Sequence, residues 1–144
     1  MTDPIFTGER TAAIRHAADR AIPFLERSGY PLGAAWVRHR WHDGPAHAVL
    51  DALATYQRPD GGFSGLEVDI KAPVSNAFAG RLAMHVMLSL RDGDTSPIAR
   101  SLGEWYAQNQ HADGDWHFPP EVYENDLAPW FAAARSAAPG VSFT

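Results

Sequence analysis

The sequence predicts an all-α fold, and three observations carry that reading. Apolar residues recur at spacings of three and four over most of the chain. Gly, Pro and Asp clusters punctuate these stretches at intervals that suit short helices joined by turns. No β-branched run of four and no clean apolar–polar alternation supports a strand.

Each element has its own signal. Residues 9–27 carry Ile14, Ala18, Ile22 and Leu25 on one stripe, with Pro23 placed to kink or break it. Gly29 and Pro31 stop that helix. A second helix is expected over 32–40. A third runs over 45–56 with Val49, Leu50, Leu53 and Tyr56 on one side, Pro45 suiting a first-turn position that needs no N–H. The fourth, 73–90, is apolar around most of its circumference and reads as packed on several sides. Thr95 or Ser96 caps a fifth helix that holds Pro97 in its first turn and ends near Gln110. A last piece, 121–137, is interrupted by Pro129.

Composition narrows the function classes. Apolar residues make up 45% and charged residues 20% of 144, which suits one packed domain spanning 1–144. Cysteine is absent, so neither a disulfide framework nor a thiolate-built zinc site is available. The net charge of −5 and the lack of a basic cluster argue against a nucleic-acid partner. No apolar run reaches the roughly 20 residues of a bilayer span, and the N-terminus has no basic segment followed by an apolar one. A cytoplasmic protein is the expectation.

An internal repeat is the most informative feature. Gln57-Arg-Pro-Asp-Gly-Gly-Phe63 returns as Gln110-His-Ala-Asp-Gly-Asp-Trp116, an offset of 53 residues, and each copy follows an amphipathic stretch. Repeats of this length signal stacked units that cannot bury their apolar face alone. The Asp-Gly step ends a helix sharply, since Gly takes the left-handed conformation. The Gln side chain suits unpaired backbone groups at a neighbouring helix end. The aromatic then folds back over the repeat.

With those residues in view, the chain resembles the QW-type repeat proteins of the squalene–hopene cyclase and prenyltransferase superfamily, over about residues 45–130. It also looks like a less characterised branch with the same repeat, through Glu67-Val-Asp69, Pro73-Val-Ser-Asn76 and Ala128-Pro-Trp130. The resemblance implies an α/α toroid, here a partial one of about three helix pairs. The Asp-x-Asp-Asp acid run of the cyclases has no counterpart.

Glu67 and Asp69 are the candidate catalytic pair. Side chains two apart in an extended loop point the same way, and two close carboxylates raise one another's pKa, leaving a usable acid. The structural alternative has Glu67 capping the next helix or pairing with Lys71. Ser75 reads as the cap of the fourth helix, while Asn76 and His85, nine apart on nearby faces, are candidate substrate contacts; His85 also reads as a satisfied core histidine. Phe63 and Trp116 are candidates to line an apolar pocket, where ring faces stabilise developing positive charge. His39, His42 and His47 are separated by the helix-breaking Gly44 and Pro45, and the run from His111 to His117 is explained by the repeat turn, so no metal site is expected.

These readings converge on a cofactor-free cyclisation or isomerisation of an apolar small molecule in secondary metabolism. The alternative is a non-catalytic module that uses the same concavity for binding or scaffolding. A homodimer is expected, because a half-length array leaves an apolar flank and the stretch from Leu127 to Ala134 is a poor polar cap. Helix 9–27 folding over the open side is the alternative cap.

Overall fold

The computed structural model describes residues 8–124, and these are all helix, turn and loop apart from one isolated bridge between Gln57 and Phe63. The chain divides into two compact units, Met1–Leu53 and Ala54–Thr144.

The first unit is a helical hairpin leading into a third helix. α1 (Gly8–Arg27) runs unbroken through Pro23. Its expected stripe faces inward: Ala18 and Ile22 are buried, Ile14 and Leu25 half-buried. Gly29 takes φ +75°, and Tyr30 N donates to Leu25 O at 2.9 Å, the left-handed closure that Gly permits. Pro31 then opens α2 (Pro31–Trp41), which packs on α1. Arg38 pairs with Glu26 at 2.7 Å across the hairpin; both are about half exposed, so the pair contributes at most about 1 kcal/mol. His39 faces the Gly44 carbonyl at 2.7 Å and His42 pairs with Asp19 at 3.3 Å. The histidine-rich stretch thereby closes the end of α2. α3 (Ala46–Ala54) follows, with Val49 and Leu53 fully buried.

The second unit holds α4 (Ala77–Leu88), a 3-10 turn at Gly93–Thr95, α5 (Pro97–Asn109) and α6 (Pro120–Glu124). Ser96 caps α5, accepting from Ala99 N at 3.3 Å, with Pro97 in the first turn as the sequence implies. α4 departs from expectation at its start. Its cap is Asn76, whose side chain accepts from Ala79 N at 2.9 Å, and Ser75 lies outside the helix. Nor is α4 packed all round. Ala77, Ala79, Gly80, Ala83 and Met87 are buried, whereas Arg81, Met84, His85 and Leu88 face outward. Gly80 is required where α4 meets α5, since a Cβ there lies 2.7 Å from the Tyr106 hydroxyl. That hydroxyl donates to Ala77 O at 2.7 Å. A separate cluster joins the loop to α6: Ile70, Ala72 and Val122, with Val74, Phe78 and Phe118 around them. The stretch around Trp130 and Phe131, expected as an apolar flank, lies outside the described residues.

Candidate functional site

The two repeat turns are built alike, bond for bond. In the first, Arg58 N donates to Gly62 O (2.8 Å), Gly61 N to Arg58 O (2.9 Å), and Gly62 N to Asp60 Oδ1 (3.1 Å). Its Gln57 Nε2 reaches Gly61 O at 2.9 Å. In the second, His111 N donates to Asp115 O (2.8 Å), Gly114 N to His111 O (2.9 Å), and Asp115 N to Asp113 Oδ1 (3.1 Å). Gln110 Nε2 reaches Gly114 O at 2.8 Å. Gly61 and Gly114 take φ +91° and +88°, the left-handed region that the Asp-Gly step implies.

What the turns hold differs. Asp60 is a hub: Ser75 Oγ donates to its Oδ1 at 2.7 Å and Trp105 Nε1 to its Oδ2 at 3.3 Å. Gln57 Nε2 also reaches Ile98 O, 3.2 Å away in the first turn of α5. Asp113 instead bonds His117 Nε2 at 2.7 Å, and that hydrogen bond holds its carboxyl below the usual range. Trp116 donates to Tyr106 O at 2.8 Å and stands edge-on to the Tyr106 ring at 5.2 Å.

Glu67 is the unusual carboxyl. It lies in the loop between the first turn and α4, half-buried, and accepts from Asn76 Nδ2 at 3.2 Å through Oε1. Its other oxygen, Oε2, is buried without a hydrogen-bond partner. Burial pushes its pKa up; the Asn76 amide and the local backbone oppose this, and the Asp69 charge adds the smallest upward push. A perturbed acid is therefore present, but its cause is desolvation first and the neighbouring carboxylate last. Asp69 is half-buried on the same loop, Lys71 is exposed, and no ion pair joins either acid to Lys71 among the described residues.

The remaining candidates do not gather at one point. Asn76 is buried and engaged three times, with Ala79 N, Glu67 Oε1 and Val74 O. His85 is exposed on the outer side of α4, so it is not a core histidine. Phe63 is fully buried and Trp116 half-buried within its repeat. Residues that the sequence pattern does not single out form an open apolar groove between α4 and α5, of about 170 Å³. Met84, Met87, Leu88, Leu102 and Tyr106 line it. Its sequence signal is Met84 and Leu88, four apart on a helix expected to be packed all round. No three His, Asp or Glu side chains converge as metal ligands among the described residues, and no described helix is long and apolar enough to cross a membrane. Compared with known protein families, curated proteins and solved structures, the chain matches none.

Proposed function

We propose that the chain is a small-molecule enzyme on a partial α/α toroid of about three helix pairs, with Glu67 as its proton carrier. The reaction is a cofactor-free cyclisation or isomerisation of an apolar substrate, in the cytoplasm and in secondary metabolism. One observation carries this reading: a buried carboxyl oxygen with no partner, on a group whose pKa burial has raised. Such a group keeps its proton to a higher pH than a solvated Glu, and acids of this kind cluster at sites of proton transfer. The shared turn geometry supports the repeat architecture.

In the step we assign, the Glu67 O–H proton adds to one alkene carbon. The double-bond electrons form the new C–H bond, leaving a carbocation and the Glu67 carboxylate. Loss of a proton from a neighbouring carbon re-forms a double bond and returns the proton to a carboxylate, Glu67 or Asp69. The test is incubation with acyclic isoprenoid polyenes in D₂O. Deuterium enters the product carbon with the parent chain and not with Glu67→Gln, whose melting temperature is no lower than the parent's. Equal incorporation by both chains, or none by either across the polyene series, removes the assignment.

A second reading rests on a different observation. The α4/α5 groove is open and rimmed by the exposed Met84 and Leu88, which suits binding or scaffolding without chemistry.

A further inference from the structure

The two turns share one frame, but among the described residues only the first has a helix seated on it. α5 presses against turn one through Ile98, Ser101 and Trp105. A Cβ on Gly61 lies 2.8 Å from Ser101 O, and one on Gly62 lies 2.8 Å from Trp105 Cε2. Ile98 O accepts from Gln57, and Trp105 donates to Asp60. At turn two a Cβ on Gly114 meets no described atom within 4 Å, and Gln110 and Asp113 are exposed.

We infer that turn two is a docking face for α3 of a second copy of this chain, which seats there as α5 seats on turn one. The 53-residue offset that relates the turns also relates α5 to α3, placing Pro45, Ala48 and Ala52 at the positions of Ile98, Ser101 and Trp105. Pro45 is exposed, and Ala48 and Ala52 are half-buried.

The side chains that differ between the repeats differ as matched pairs. Turn one has Gly62 facing the large Trp105; turn two has Asp115 in the Gly62 position, and α3 offers the small Ala52 in the Trp105 position. Bulk has moved from the helix to the turn. The hydrogen bond that Trp105 gives Asp60 is supplied to Asp113 from within its own chain, by His117. Ala52 therefore leaves no carboxylate oxygen stranded. Gln110 Nε2 stands where Gln57 Nε2 stands, with the Pro45 carbonyl as the counterpart of Ile98 O. The contact is head to tail, α3 of one copy on turn two of the next. It rests on the repeat alone and is independent of the proton chemistry assigned to Glu67.

Sedimentation equilibrium of the full chain tests this, because a chain of 15.8 kDa should sediment as twice that mass or a higher multiple at micromolar concentration. Gly114→Asn is the discriminating variant. Asn tolerates a positive φ, and the added side chain meets no described atom of its own chain within 4 Å but collides with a docked α3. It should weaken association at least about tenfold with the helical spectrum retained. On the other side of the contact, Ala48→Arg should do the same, and mixing the two variants should restore one contact and yield a heterodimer. A single 15.8 kDa species at every concentration overturns the inference. So does Gly114→Asn associating like the parent. If Ala48→Arg fails to fold, Gly114→Asn alone decides.

Discussion

An unpartnered oxygen inside a protein costs free energy, and Glu67 shows how a chain limits that cost without supplying a partner. A carboxylate buried at Oε2 is penalised more than the neutral acid, so the proton stays on to a higher pH than in the unfolded chain, where the ordinary value is 4.5. Between pH 4.5 and the raised folded value the native state binds more protons than the unfolded one, so stability falls as pH rises through that window. Glu67→Gln removes the titration. Its melting temperature should match the parent's below pH 4.5 and exceed it above the folded pKa. A constant difference from pH 4 to pH 8 would refute this. Asn76 separates the roles of its two ends: Oδ1 caps α4 and Nδ2 holds Glu67. Asn76→Ala loses both and should cost about 1 kcal/mol in thermal unfolding. Asn76→Ser keeps a capping oxygen but removes the amide that opposes the rise. It should unfold near the parent's temperature while the Glu67 carboxyl, followed by carbon-detected NMR, titrates at still higher pH.

At the scale of elements, the repeat turns separate backbone strain from packing. Gly61 and Gly114 adopt nearly the same left-handed conformation, yet Gly61 faces Ser101 O and Gly114 faces no described atom within 4 Å. Gly114→Val should therefore cost only the strain of a β-branched residue at positive φ, about 1–3 kcal/mol. Gly61→Val adds a collision with α5 backbone worth a further 1–3 kcal/mol or so. Equal losses on chemical denaturation would show that α5 does not press on the turn. The same elements show what sequence makes legible. The stripe from Ile14 to Leu25, the cap at Ser96 and the left-handed glycines are readable because each depends on neighbours within a turn or two. The start of α4 is not. Ser75 and Asn76 are both good caps, and the choice falls to Asn76 because Ser75 is taken by Asp60, fifteen residues earlier. Trp105, forty-five residues from Asp60, is equally invisible to local pattern. Likewise Glu67 is identifiable as an acid in a Gly-rich loop, but burial as the cause of its raised pKa is a tertiary property. The open side of α4 escapes the pattern because apolar residues all round a helix imply burial, whereas Leu88 is 63% exposed.

Across the whole molecule, the two functional readings make separate demands on separate places, so they can be tested independently. The acid reading needs Glu67, in the loop before α4. The binding reading needs the groove on the α4/α5 side, where Met84 and Leu88 stand at the rim. The groove's roughly 170 Å³ is below the 300–1,000 Å³ typical of pockets that enclose a drug-sized ligand. It suits a side chain or a short apolar segment laid across it, with the rim residues supplying much of the contact. Leu88 contributes little to stability, because most of its surface is in water whether or not the chain is folded, so Leu88→Ser should shift the melting temperature by no more than the roughly 0.5 kcal/mol typical of surface changes. The same substitution removes apolar area from the rim and should reduce enhancement of an environment-sensitive apolar dye such as anilinonaphthalene sulfonate. Glu67→Gln should leave that dye signal intact. Dye enhancement unchanged in Leu88→Ser would show that the groove does not take apolar ligands and would leave the acid reading standing alone. Loss of the signal in Glu67→Gln would instead mean that the carboxyl, not the rim of α4, governs access to the dye's site.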